Sequence, residues 1–318
     1  MSESFPPAKL PARHAWFQAL LARAAGLPPL PTAVAHPCDA ASLGAAVEAA
    51  NAKLITPILV GPAARIAAAA LAAKLDIAAF RIENTEHSHA SAARAVALVR
   101  SGDAALLMKG ALHTDELLHE VMLPDTGLRT GRRLSHVYVL AVPGFPRPLL
   151  VTDAAINITP TLEDKVAIVQ NAIDLAHMLG IAVPKVAILA AVEVVNPAMR
   201  STVEAAALCK MAERGQITGG ILDGPLAFDN AISPAAAREK GIVSPVAGLA
   251  DILVVPDLEA GNMLAKQMTF MGGADAAGVV LGARVPIILT SRADDARTRL
   301  ASCAVAVILA ANQAPVFA

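Results

Sequence analysis

The sequence predicts an α/β protein built on a mostly parallel, doubly wound sheet. Apolar segments of strand length alternate with longer segments at helical spacing through most of the 318 residues. The strand segments are rich in Val, Ile, Leu and Ala and poor in charge, as expected of parallel strands covered on both faces. The length is too great for one simple core and suits two domains.

The first half of the chain begins with a Pro-rich lead-in, residues 1–11, that we expect to be disordered. Asp39 or Ser42 starts the second helix, and Gly61 and Pro62 end the second strand. The predicted strands are 32–36, 56–60, 80–82 and 104–108. The predicted helices are 13–25, 39–51, a segment from Gly61-Pro62 to residue 74, 88–101 and 114–122.

The alternation is interrupted once, where strands 136–142 and 148–152 follow each other with no helix between them. This break indicates a crossover between domains. Alternation then resumes, with strands predicted at 185–189, 220–222, 252–255, 277–281 and 287–289. The helices predicted in this half are 162–179, 198–214, 234–240, 258–271 and 294–311.

Composition excludes several classes of function. The chain is 55% hydrophobic with a mean hydropathy of +0.55, but its apolar runs are broken by charges such as Glu193 and Arg284 and are too short to cross a membrane. A net charge of −1 and 3% aromatic residues argue against nucleic-acid binding. Cys38, Cys209 and Cys303 are isolated, and the polar N-terminus lacks a secretory signal, so we expect the cytoplasm.

Two late junctions between a strand and a helix carry the strongest chemical signal. The strand 287–289 is followed by Ser291, Arg292 and the acidic pair Asp294 and Asp295. Helix N-termini that leave a parallel sheet are natural anion sites, and a serine hydroxyl and a guanidinium favour phosphate. Ser291 and Asp294 also have the spacing of a capping box, and the two roles are compatible.

The second junction follows strand 252–255. Asp257, Gly261, Asn262 and Lys266 lie on the helix that starts there. Gly261 would allow a close backbone approach, Asn262 would hydrogen-bond a substrate, and Lys266 lies one turn further on the same face. The alternative is an Asp N-cap followed by an exposed lysine.

Three further segments are candidates for binding. Arg129, Thr130 and Arg132 lie in a basic loop that suits an acyl phosphate or the phosphates of a coenzyme, unless acidic neighbours such as Asp125 and Glu120 neutralise it. Other candidates follow strand ends, where open α/β sheets bind ligands, and these are Lys109, Asp223 and Pro225. A structural turn is the alternative for Asp223 and Pro225.

The segments ILDGPLAFDNAIS, ADILVVPDLEAGNMLAKQ and GVVLGARVPIILTSRADD resemble the phosphate acetyltransferase and phosphate butyryltransferase family. The resemblance runs from about Leu43 to the C-terminus. It implies two α/β domains with a cleft between them, in a fold like that of isocitrate and isopropylmalate dehydrogenases. The implied domains are 1–148 plus 287–318, and 149–286.

The resemblance also implies an activity, the reversible transfer of an acetyl or butyryl group between coenzyme A and inorganic phosphate. Coenzyme A is then a substrate, no cofactor is bound permanently, no metal is needed, and a homodimer is expected. Ser291 and the helix start would hold phosphate, Arg292 would neutralise charge, and Asp294 or Asp295 would accept the thiol proton. In the family's acetyl branch a glycine stands where this chain has Ala293, and the acidic cluster follows several residues later. The base in this chain is therefore left open between Asp294, Asp295 and neither of them.

Alternatives remain at this stage. Cys209 or Cys303 as a nucleophile would give an acyl-enzyme, although both are expected to be inert core thiols. A metal- and NAD-dependent decarboxylating dehydrogenase of similar fold is a second possibility, but it needs a carboxylate cluster that the sequence does not offer. A non-catalytic protein that binds coenzyme A or an acyl phosphate is the third.

Overall fold

The computed structural model describes residues 14–291 and 294–312. Its strands are β1 (Leu30–Ala35), β2 (Ile55–Gly61), β3 (Arg81–Asn84), β4 (Leu106–Lys109), β5 (Ser135–Ala141), β6 (Leu149–Thr152), β7 (Lys185–Leu189), β8 (Ile221–Leu226), β9 (Ile252–Val254), β10 (Asp275–Leu281) and β11 (Ile287–Ile288). These eleven strands form one sheet in the order β3-β2-β1-β4-β11-β10-β5-β6-β9-β7-β8. The sheet is therefore continuous through both halves of the chain, which the sequence predicts as two domains.

The helices are α1 (Ala15–Ala25), α2 (Ala40–Asn51), α3 (Ala63–Ala73), α4 (Ser88–Arg100), α5 (Thr114–Met122), α6 (Leu162–Met178), α7 (Arg200–Glu213), α8 (Phe228–Ile232), α9 (Pro234–Glu239), α10 (Leu258–Lys266) and α11 (Ala296–Asn312). A π-helical turn, Gln267–Met271, extends α10. In the part of the chain described, no helix combines the length and apolar character that a bilayer crossing requires.

Local signals account for several helix starts. The carboxylate of Asp39 accepts a hydrogen bond from the backbone N–H of Ser42 at 2.7 Å and caps α2. Thr161 and Asp164 form a capping box at the start of α6. Asp257 accepts from the backbone N–H of Ala260 at 2.9 Å and caps α10. The predicted N-cap of α2 is therefore confirmed at Asp39.

The strands run in two groups of opposite direction. The strands β1, β2, β3, β4 and β11 are mutually parallel, and so are β6, β7, β8 and β9. Between the groups, β10 pairs antiparallel with both β11 and β5, and β5 pairs antiparallel with β6. The predicted break in alternation at β5 and β6 is thus the point where the strand direction reverses.

The two faces of the sheet are packed differently. On one face, a single core extends from Val34 in β1 through Val279 in β10 to Ile252 in β9. On the other face, one core surrounds Leu107 and a separate core surrounds Leu253. The second face therefore has a gap between two cores, whereas the first face holds both halves of the sheet together.

Central residues of β5 and β10 form the floor of the gap between the two cores. Side chains alternate across a strand, so His136 and Tyr138 face the same side as Ala276 and Gly278. Ala276 belongs to one of the two separated cores, while Val280 at the other end of β10 belongs to the second. A Cβ on Gly278 would lie 2.9 Å from Nε2 of His136, so only glycine leaves room for that ring.

Candidate active site

Two cavities meet at Ser291, the residue that follows β11. The larger has a volume of about 500 Å³ and is lined by Tyr138, Lys266, Phe270, Asp294 and others as well as by Ser291. The smaller has a volume of about 100 Å³. Arg292 and Ala293 lie outside the described residues, so the structure does not locate the predicted guanidinium.

The smaller cavity lies at the carboxyl edge of the parallel strands β1, β4 and β11. It is lined by Asp39, Ser42, Lys109 and Arg299 in addition to Ser291. Lys109 is only 7% exposed, and its Nζ donates to the carbonyl of Gly110 at 3.3 Å. Two cationic side chains and three hydroxyls, those of Ser42, Thr290 and Ser291, around a volume of this size suit a small tetrahedral anion.

Asp39 supplies a negative charge to the same small cavity. Burial raises the pKa of its carboxyl, but hydrogen bonds from Ser42 and the charge of Arg299 outweigh that effect, so the pKa is lowered overall. Arg299 also donates from Nη1 to the carbonyl of Ala41 at 2.9 Å. Asp39 therefore acts as a fixed acceptor that orients Ser42 and the start of α2.

Asp294 lies beside Ser291 at the mouth of the larger cavity. One of its carboxylate oxygens accepts a hydrogen bond from the backbone N–H of Ser291 at 2.6 Å. Burial raises the pKa of this carboxyl, and the negative charge of Asp295 adds to the rise. The hydrogen bond from Ser291 and the charges of Arg299 and Lys266 oppose it without cancelling it. A carboxylate with a raised pKa is better suited to accept a proton than an ordinary one.

Asp295 has a different role in the structure. It is exposed, and its carboxylate accepts from the backbone N–H of Thr298 at 2.8 Å, which is the pattern of an N-cap for α11. Ser291 and Asp294 are hydrogen-bonded to each other, but they precede the helix rather than capping it, because α11 begins at Ala296. Of the two acidic residues proposed as the base, the geometry favours Asp294.

The helix α10 contributes its C-terminal end to the larger cavity. Lys266 and the turn that carries Thr269 and Phe270 line it, whereas the N-terminal Asp257 does not. The prediction had placed two helix starts together. The structure instead combines the segment before α11 with the end of α10.

The start of α10 packs against the loop that follows β6. Asn262 donates from Nδ2 to the carbonyl of Ala154 at 3.1 Å, and a Cβ on Gly261 would lie 2.8 Å from the carbonyl oxygen of Asp153. Asp153 in turn accepts from three backbone N–H groups of residues 155–157 and from Nδ2 of Asn157. In this structure Gly261 and Asn262 position a loop beside the gap.

The basic loop is held away from the two cavities. Arg132 forms an ion pair with Asp174 of α6, and Thr130 donates to the carbonyl of Gly282 at 2.6 Å. The helix α6 packs on the face that carries the continuous core, opposite the gap. Arg129 is exposed next to them. Arg132 is therefore neutralised by Asp174 and not by the expected partners Asp125 and Glu120.

Asp223 and Pro225 lie on β8, the outermost strand of the sheet, with three strands between it and β5. Asp223 accepts from the backbone N–H of Gly224 at 2.8 Å. Neither residue lines either cavity at Ser291. Within this one chain, the structure does not bring them together with the other predicted residues.

Several lining residues were not found from the sequence. Tyr138 is the only tyrosine of the chain. The alternation of side chains along β5 could have placed it on the face of the sheet that lines the cavity. Burial and the nearby charge of Asp294 raise its pKa to about 12. Arg299 and Phe270 carried no distinctive pattern, because only the tertiary fold brings the first turn of α11 to the smaller cavity and the π-helical turn after α10 to the larger one.

Of the cysteines proposed as nucleophiles, Cys303 is fully buried in the core and Cys209 is half-buried against it. Cys209 is on α7 and Cys303 on α11, and burial raises the pKa of each thiol to about 12. Neither lines a cavity at Ser291. In the described residues, no group of three or more His, Cys, Asp and Glu side chains has an arrangement that could hold a metal ion.

Comparisons with known proteins agree on one family. Residues 89–307 match the family described as phosphate acetyl/butaryl transferase. The chain is 64% identical to a phosphate acetyltransferase of Rhizobium meliloti, over 95% of this chain and 96% of that protein. It is 44% identical to a phosphate butyryltransferase of Clostridium beijerinckii, over 93% and 98%. The crystal structure of a branched-chain phosphotransacylase from Enterococcus faecalis V583 is similar, with a TM-score of 0.78 and 31% identity over 88% of this chain and 99% of that one.

Proposed function

This chain belongs to the phosphate acetyl/butaryl transferase family, and we propose that it transfers a short acyl group reversibly between coenzyme A and inorganic phosphate. The reaction is acyl-CoA plus phosphate in exchange with acyl phosphate plus coenzyme A. The observation that carries the proposal is the position of Ser291 at the boundary of two cavities. The smaller one suits a phosphate, and the larger one has room for the thiol end of coenzyme A and an acyl group.

Both substrates are bound at the same time in the proposed mechanism. The phosphoryl group of the acyl phosphate lies in the small cavity near Lys109 and Arg299. The carbonyl carbon of the acyl group lies next to Ser291. The coenzyme A thiol approaches from the larger cavity. Two reactants held in one geometry lose the entropic barrier of a bimolecular encounter.

The chemical step is a single displacement. Asp294 takes the proton from the thiol, and the sulfur forms a bond to the carbonyl carbon. The bond between that carbon and the bridging phosphate oxygen breaks, and the phosphate leaves with the proton that Asp294 returns. Lys109, Arg299 and, on sequence grounds, Arg292 stabilise the negative charge that develops on the oxygens.

The alternatives receive less support. An acyl-enzyme at Cys209 or Cys303 requires a thiolate, which burial disfavours at both positions. The dehydrogenase alternative is not favoured, since the relatives at 64% and 44% identity carry acyltransferase names. A protein that only binds the substrates would not need the raised pKa of Asp294.

We also propose the domain division 1–148 plus 287–318 and 149–286, with the gap over Tyr138 as the cleft. The two separate cores on that face support it. We further propose that these two domains are arranged as in isocitrate and isopropylmalate dehydrogenases. A cytoplasmic location agrees with three cysteines that form no disulfide in the described residues.

A homodimer is the proposed assembly. The loop between β7 and α7 exposes Val194 and Val195, at 68% and 49%, and Val203 on α7 is 43% exposed. A contiguous exposed apolar patch is characteristic of contact surfaces between protein chains, and in this proposal the three valines belong to one such patch.

The test is phosphate-dependent release of free thiol from acetyl-, propionyl- and butyryl-CoA. We expect release with the wild type and a loss of about 10²-fold or more in Arg292→Ala, as for removal of an oxyanion donor. Lys109→Met should raise the KM for phosphate, whereas Lys210→Met, an exposed lysine of α7, should not. Absence of thiol release with all three thioesters would refute the proposed function.

A further inference from the structure

One wall of the larger cavity is apolar and rigid. Tyr138, Ala265 and Ala276 line it and belong to, or pack against, the same core. Ala265 and Ala276 are each 2% exposed, so this wall is part of the protein interior. The polar residues Ser291 and Asp294 also line this cavity.

We propose that this apolar side holds the hydrocarbon chain of the acyl group, and that Tyr138 and Ala276 set the chain length that fits. The inference rests on the proposed function. If the carbonyl carbon lies beside Ser291, the phosphate occupies the small cavity and the acyl chain extends into the larger one. Methylene groups gain free energy by leaving water for an apolar wall, while the polar arm of coenzyme A has no such reason to lie there.

Tyr138 forms a fixed end to this space. Its ring packs edge-to-face on the ring of His136, with the centroids 4.4 Å apart. His136 is completely buried and lies over Gly278, where a Cβ would come within 2.9 Å of its Nε2. Because the interior behind Tyr138 is filled, its ring cannot move back to admit a longer chain.

The wall also carries no charge at neutral pH. Burial, together with the nearby carboxylate of Asp294, raises the pKa of the Tyr138 hydroxyl to about 12, so it stays protonated. The side chain of Ala276 is a single methyl group, so it leaves space next to the ring of Tyr138. Enlarging Ala276 should therefore shorten the space, and truncating Tyr138 should lengthen it.

The experiment compares kcat/KM for butyryl-CoA with that for acetyl-CoA. Ala276→Leu should lower this ratio, and Tyr138→Ala should raise it, each by about tenfold or more, because a hydrophobic pocket discriminates one methylene by about 10–200-fold. Tyr138→Phe is the matched control for the ring and should keep the wild-type ratio. Phe270→Ala removes a lining ring that is 70% exposed, so it does not threaten folding, and it should lower the ratio.

The outcomes separate this inference from the proposed function. If the folded variants release thiol but keep the wild-type ratio within about twofold, far less than a pocket wall should produce, the inference is overturned. Should either core variant fail to fold, the ratio for Phe270→Ala decides. Absence of thiol release from both thioesters by the wild type would instead overturn the proposed function and, with it, this inference.

Discussion

At the scale of single residues, the proposed mechanism depends most on Asp294. Its carboxylate is hydrogen-bonded to the backbone of Ser291, and burial raises its pKa. The charged form is thus less favourable in the folded protein than in the unfolded chain. In the pH range between the ordinary value of 3.8 and the raised pKa, this group lowers the stability of the fold as pH increases.

Replacing Asp294 should therefore separate activity from stability. In Asp294→Asn we expect kcat/KM to fall by about 10²-fold or more, because a general base contributes about 10²–10⁴-fold. The melting temperature at pH 7 should not fall, since a carboxylate with an unfavourable charge is removed. The acid limb of the pH–rate profile, which lies above the range of an ordinary Asp in the wild type, should disappear.

Asp295→Asn is the matched comparison, because Asp295 is the exposed neighbour that caps α11. It should lose far less activity than Asp294→Asn and should lower stability by about 1 kcal/mol at most, the usual cost of a weakened cap. Equal losses of activity in the two variants, measured by thiol release, would remove Asp294 as the base.

At the scale of elements, the position of α10 depends on a glycine. Gly261 lies against the loop after β6, where a Cβ would be 2.8 Å from both the carbonyl oxygen of Asp153 and a methyl of Val255. Gly44 in α2 is also helical, but a Cβ there would have only Leu75 at 4.0 Å. The same substitution should thus have opposite effects at the two sites.

We predict that Gly261→Ala destabilises the protein by about 1–3 kcal/mol, the usual cost of overpacking, and lowers activity because α10 must shift. Gly44→Ala should stabilise it by about 0.5–1 kcal/mol, as alanine does in a helix interior, without lowering activity. Chemical denaturation and thiol release on both variants provide the check. A neutral or stabilising Gly261→Ala would show that the approach of α10 to this loop is not tight.

The sequence predicted most elements because their signals are local. The N-cap at Asp39, the turn at Gly61 and the periodic apolar runs each act within one or two turns of chain. The short helix α8 and the π-helical extension of α10 were missed as separate elements, since five residues carry too little periodicity. The pairing of β10 with β5 joins segments over 130 residues apart and has no local signal.

At the scale of the whole molecule, one face of the sheet ties the two halves together and the other separates them. The continuous core lies on one sheet that runs through both of the predicted domains. The sequence predicts a site around Ser291, and the structure places Lys109, Lys266 and Asp294 in the lining of the two cavities there. Arg132 and Asp223 lie elsewhere in the chain's fold. Charge and turn residues mark a loop in sequence, but only the packing of β10, α10 and α11 decides which loops meet.

The proposed homodimer gives a prediction at this scale. Sedimentation should give twice the monomer mass of 32.5 kDa. Val194→Asp should convert the protein to a monomer, because a charge in an apolar contact surface loses its hydration. Val243→Asp is the control, since Val243 is fully exposed, in the segment between α9 and β9. A wild type that sediments as a monomer would contradict the assembly.

The central claim is that the acyl group passes directly between phosphate and the thiol of coenzyme A beside Ser291 while both substrates are bound, with no acyl-enzyme between them. Exchange of isotopically labelled coenzyme A into unlabelled acetyl-CoA tests this most directly. We predict exchange only when inorganic phosphate is present, because the thioester must first become acyl phosphate. Exchange at the same rate in the complete absence of phosphate would require an acyl-enzyme and would contradict the mechanism.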